Sequence, residues 1–396
     1  MKKYLILLIF ILTCNFLSVN FIYSKDYSSL NEVLKSPASY NIYNGKNTEK
    51  VFNAVRYINN NYSKESLKAK NIYSTSKIDV YLENGLKINE RDLQKIIAET
   101  SNIYDLEEYL YGKLKGKLTL LIMDINGGYT GDKPYMQGYS ILDGLDEIKN
   151  DDENIIFLDY INGWENIDSV VNTIAHELHH VIHYSQLESK SSNSFDVWVD
   201  EALSEAAVIA YRGKLPENRL NYYNTDSMYL ITKGDYFINW NQGYTVHKYA
   251  TVSLFMYWLG LHSKNGFEIY KDIANAPEEY KGTYKAILYA ANKNIKQFKD
   301  WSELYAVWLE ANYKNDKSGL YGYNGKIITK PKIITTQYNC PMAPGSAIYV
   351  KGDFMSDDTL LRYVELGDNT YIVYNPDINT KGKDRYLIVN SSFYGY

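Results

Sequence analysis

In the run His176-Glu177-Leu178-His179-His180, two histidines stand four residues apart with an acid beside the first. On an α-helix, residues four apart return to the same side, offset by about 40°, so the two imidazoles can converge on one point. The neighbouring residues test whether the stretch is helical. Ile167, Val170, Val171, Ile174, Leu178, Val181 and Ile182 fall on one stripe, roughly opposite His176 and His180. A helix marked in this way has one face to bury and another that lines a cleft, and the fold must supply both. Four of the six histidines lie between His176 and His183, a density that a solvated helix does not require. His179, about 60° off the shared direction, reads as solvated or as a support for the pair, and His183, within about 20° of His176, as a buried polar partner.

Two imidazoles and an acid at this spacing suit a metal, zinc above all. A tetrahedral catalytic zinc takes three protein ligands and keeps one position open. Helical spacing resumes over residues 196–211, with Asp196 as N-cap and Gly213 as stop. There Glu201 and Glu205 share a face, whereas a register centred on Asp200 pairs that acid with Ser204. The spacing therefore predicts Glu201 as third ligand and Glu205 as the carboxylate that orients a ligand imidazole. Glu177 is the expected base, acting on a metal-bound water. Residues 189–194, rich in Ser and Asn, form a turn that folds the two helices into a hairpin.

H-E-x-x-H followed about twenty residues later by Asp200-Glu201-Ala202-Leu203-Ser204-Glu205 resembles the gluzincin metallopeptidases, and within them the hyicolysin branch of secreted bacterial neutral zinc proteases. The order of elements is similar as well. A strand at 77–82, a helix from Asn89, a strand at 117–125, a turn at Gly138-Tyr139 and a strand at 154–160 precede the metal helix, and a helix over 249–259 follows. The resemblance implies an α+β fold: a zincin-type catalytic domain with a small mixed sheet, helices and an active-site helix hairpin. It also implies peptide hydrolysis, with zinc and one further donor holding the oxyanion. Tyr244, His247 and Tyr249 are the candidates for that donor. Aminopeptidase relatives carry a G-x-M-E-N element that is missing from this sequence, so an endopeptidase is expected.

The rest of the chain fixes the setting. Lys2 and Lys3 followed by an apolar run predict a signal peptide over residues 1–24 and export to the cell surface or medium. Cys14 follows a weak lipobox, which makes an N-terminal lipid anchor the one route to a membrane. Cys340 is the only other cysteine, so if Cys14 is lost with the signal peptide no intramolecular disulfide can form. Residues 25–75 read as an N-terminal segment with two weak strands, at 52–57 and 67–73. Residues 76–320 read as the catalytic domain, and residues 321–396 as a small β-module with strands at 327–335, 346–350, 361–366, 371–374 and 386–389. The helix from Asn89 is expected to end near Ile103, residues 222–243 to form a loop, and further helices to cover 267–274, 284–291 and 295–313. A Gly/Asp-rich stretch at 126–152, with Asp132, Asp143, Asp146, Asp151 and Asp152, offers hard oxygens for a structural calcium, although solvated loop acids are the commoner outcome.

A formal charge of −5 argues against nucleic acid. The expected partner is a protein or peptide substrate, met by a monomer. The 41 tyrosines suggest a stacking surface, but an AT-rich coding sequence explains them more simply. The alternative function is a surface-exposed adhesin on a peptidase-like scaffold. Retention of Glu177 weighs against it, because binding alone needs no base.

Overall fold

The computed structural model describes residues 45–58, 61–128, 135–140, 150, 154–160, 167–186, 196–240, 245–336, 338–355, 360–379 and 384–389. The expected signal peptide, Cys14, Tyr244, the turn at 189–194 and the five aspartates proposed for calcium lie outside these residues. By contacts the chain forms two units, Met1–Ser192 and Asn193–Tyr396, and both mix helices with sheets.

The first unit is built on a six-stranded sheet in the order β1-β2-β3-β4-β6-β5. Strands β1 (Glu49–Ile58), β2 (Asn61–Ser74) and β3 (Ile78–Glu83) pair antiparallel. β3, β4 (Leu118–Met123) and β6 (Ile155–Asp159) run parallel, and β5 (Gly138–Ser140) closes the edge antiparallel to β6. Every residue of β4 and β6 is buried, which explains why the sequence of β4 shows no alternation. Phe52, Leu67, Leu121, Met123 and Phe157 form part of one core on this sheet.

Helix α1 (Glu90–Tyr111) begins at Asn89, whose side chain accepts from the Arg91 N–H, a cap that contributes about 1 kcal/mol. It runs a further two turns beyond the expected end, because Ile103, Leu106 and Leu110 continue the buried stripe until Gly112 adopts a positive φ. Helix α2 (Ile167–Gln186) carries the histidine pair and packs on α1, β5 and β6. The turn expected at Gly138-Tyr139 is strand β5 instead. Gly138 is required there by close approach, since a Cβ would stand 2.8 Å from the Phe157 carbonyl oxygen and 2.7 Å from Thr173 Cγ2.

The second unit opens with α3 (Val197–Arg212), flanked by Asp196 and by Gly213 in the left-handed region. α4 (Glu217–Thr225) follows, where part of a loop was expected; Pro216 precedes its first residue, and its polar composition hides the period. α5 (Val246–His262) is buried from Val246 to Gly260. α6 (Ile269–Ala274), α7 (Tyr284–Asn294) and α8 (Trp301–Lys314) complete the helices among the described residues. α8 starts later than residue 295, at the point where Asp300 caps the Glu303 N–H. Trp198, Phe237, Phe255, Trp301, Tyr305 and Trp308 pack ring against ring between these helices.

Two small sheets complete the unit. One orders β11 (Arg362–Gly367), β12 (Thr370–Tyr374), β9 (Ala347–Lys351) and β7 (Ile333–Ile334), and the other β10 (Phe354–Met355), β13 (Arg385–Val389) and β8 (Tyr338–Met342). The sequence reading missed β8 and β10, and the strand it expected over 327–335 shrinks to two residues. Ile348, Val350 and Val373 of one sheet share a core with Met342, Leu387 and Val389 of the other. Buried phenols tie this part to α8: Tyr305 donates to the Gly345 carbonyl at 2.8 Å, and Tyr349 to the Leu309 carbonyl at 2.7 Å.

Candidate metal centre

Every residue of α2 from Thr173 to Ile182 is buried, so the polar groups on this helix are held in a water-poor setting. His176 and His180 turn toward each other with ring planes 74° apart. Their Nε2 atoms stand 3.3 Å apart. Two nitrogens each about 2.0–2.1 Å from one zinc at the tetrahedral angle stand about 3.3–3.4 Å apart, so the pair fits two corners of a zinc site.

Glu177 is 2% exposed and accepts a hydrogen bond from Ser140 Oγ to its Oε2 at 2.8 Å. The strand that supplies Ser140 is itself pinned to α2: Gln137 Oε1 accepts from Ser169 Oγ at 2.7 Å and from Thr173 Oγ1 at 2.9 Å. The sequence reading did not single out Ser140, since a partner 37 residues away leaves no local signal.

Of the two readings of His179 burial excludes the solvated one: the ring packs edge-on against Tyr111 with centroids 4.5 Å apart. His183 is only half-buried and stacks on His179 at 5.9 Å. Glu107 of α1, which the sequence reading also passed over, is fully buried. Burial pushes its carboxyl well above the usual range, and the charge of His176 pulls in the opposite direction.

In the second unit Glu201 is fully buried on α3. Glu205, one turn on, pairs with Arg219 of α4 through two bonds, from Nε at 2.9 Å and from Nη2 at 2.6 Å. Ser253 Oγ also donates to Glu205 Oε2. Tyr249 lies over the Arg219 guanidinium at 5.0 Å and edge-on to Trp240. His247 directs Nε2 to Asp235 Oδ2 at 2.8 Å.

Buried imidazoles spaced for one metal, beside a glutamate held in one orientation, are the donor set of a metal-dependent hydrolase. No family model matches the chain. Over 222 residues it is 28% identical to the neutral metalloprotease ShpI of Staphylococcus hyicus, a stretch that covers 53% of this chain and 49% of that protein. The chain thus spans about half the length of the curated relative it matches, and the match supports a metallopeptidase relationship. Among the described residues no helix is long and apolar enough to cross a membrane.

Proposed function

We propose that the chain is a secreted zinc endopeptidase of the zincin type in which His176, His180 and Glu201 hold the metal and Glu177 moves the proton. The observation that carries this reading is the pair of buried Nε2 atoms 3.3 Å apart, next to a carboxylate held by Ser140. The likeness to a neutral metalloprotease supports it independently. His176, His180 and Glu201 are all buried and each offers one ligand atom, and two neutral imidazoles with one carboxylate are a donor set that zinc favours.

Zinc held there would acidify a water and polarise the scissile carbonyl. Glu177 takes the proton of the attacking water and returns it to the departing amine nitrogen, acting as base and then as acid. With Oε2 engaged by Ser140, Oε1 is the oxygen that exchanges the proton. Glu205 is the carboxylate that orients a ligand imidazole. Of the three oxyanion candidates we favour His247, whose ring Asp235 holds in place, over Tyr249 and Tyr244.

Casein hydrolysis by the purified protein tests the reading. Activity is expected to stop with a chelator and to return with added zinc. Glu177→Gln is expected to keep its zinc and lose about 10²- to 10⁴-fold in rate, the usual share of general acid–base catalysis. Hydrolysis that survives metal removal, or a Glu177→Gln variant as active as wild type, overturns the reading.

A further inference from the structure

Helices α1 and α2 run side by side in the same direction, and three contacts set their register. Near their starts Lys95 Nζ stands 3.5 Å from Asp168 Oδ1. Further along, Tyr111 meets the edge of His179 at 4.5 Å. At their ends Gln186 Nε2 donates to the Tyr111 carbonyl at 3.1 Å. With a rise of about 1.5 Å per residue, Glu107, one turn before Tyr111, lies level with His176, about one turn before His179.

Glu107 occupies the buried stripe that Ile96, Thr100, Ile103 and Leu110 also share, where packing alone calls for an apolar side chain. It is 0% exposed, and neither carboxylate oxygen has a hydrogen-bond partner among the described residues. A buried carboxylate left in this way is costly unless a charge nearby compensates it. The charge that most offsets its burial is that of His176. His176 directs Nε2 to the partner histidine, which puts its buried Nδ1 on the other side of the ring.

We infer that Glu107 is a positioning residue of the metal centre, accepting the Nδ1–H of His176 and so keeping Nε2 turned to the metal. The inference rests on the zinc reading above. It gives His176, a ligand histidine of the first unit, a carboxylate support from its own unit. A carboxylate on the far nitrogen fixes the tautomer, raises the basicity of the ligating nitrogen and balances the charge of the cation.

The test measures zinc affinity by chelator competition, together with the melting temperature of the metal-free protein, for wild type, Glu107→Met and Glu107→Gln. The methionine removes the acceptor at similar volume, and the glutamine keeps one acceptor oxygen without the charge. Zinc affinity is expected to fall about 10- to 100-fold in Glu107→Met and less in Glu107→Gln. The metal-free melting temperature should be no lower than that of wild type in either variant. Unchanged affinity in Glu107→Met overturns the inference. Lost affinity with a lowered metal-free melting temperature also overturns it, because Glu107 is then only a structural group. Wild-type protein that takes up no zinc overturns the metal centre itself, and the role of Glu107 with it.

Discussion

Ser140 and Glu177 meet through one hydrogen bond between buried side chains. A bond to a charged group contributes about 1.5–3 kcal/mol, and in the proposed mechanism it would decide which carboxylate oxygen is left to the substrate. Ser140→Ala is therefore expected to lower kcat for casein by about tenfold or more while leaving one zinc per chain. Unchanged turnover in a zinc-replete Ser140→Ala protein excludes Ser140 as the anchor of the base. At this scale the sequence was legible where position follows helical spacing, as in the convergence of His176 and His180. It was silent where a partner comes from a distant element, as with Ser140 and Arg219. Glu107 left one trace, an acid on an otherwise uncharged stripe.

In the proposed centre the register of α3 would decide which acid serves the metal. Glu201 is fully buried, while Asp200 is half-buried and its carbonyl accepts from Ser204 Oγ at 3.1 Å. Glu201→Ala is expected to release zinc at neutral pH, since two imidazoles alone hold it weakly, and Asp200→Ala to retain it. Metal analysis that gave the reverse order would show that the helix presents the other acid. Elements with a strong period were readable: α3 and α5 stand within a few residues of their expected bounds, and α2 covers the apolar stripe read from Ile167 to Ile182. Polar α4 and the short strands β8 and β10 lacked that period. β5 was hidden for another reason: its glycine, which suggests a turn, serves close packing against β6 and α2.

At the scale of the whole molecule, composition showed that tyrosine is abundant but not where it goes. In the second unit Tyr223, Tyr236, Tyr305, Tyr323 and Tyr349 are buried, and burial pushes each phenol above its ordinary range. In the unfolded chain these groups ionise near pH 10. Their contribution to stability is therefore fully present below about pH 10 and is lost as pH climbs above it, because the unfolded chain then gives up protons that the folded one retains. Each such phenol steepens the loss by up to about 1.4 kcal/mol per pH unit. An alkaline titration followed by phenolate absorbance should show these tyrosines ionising together with the loss of helical circular dichroism; ionisation that precedes unfolding would mean the phenols reach solvent in the native fold. The aromatic interior thus acts as a built-in optical gauge: phenolate absorbance from these rings reports that the second unit has come apart, with no label attached.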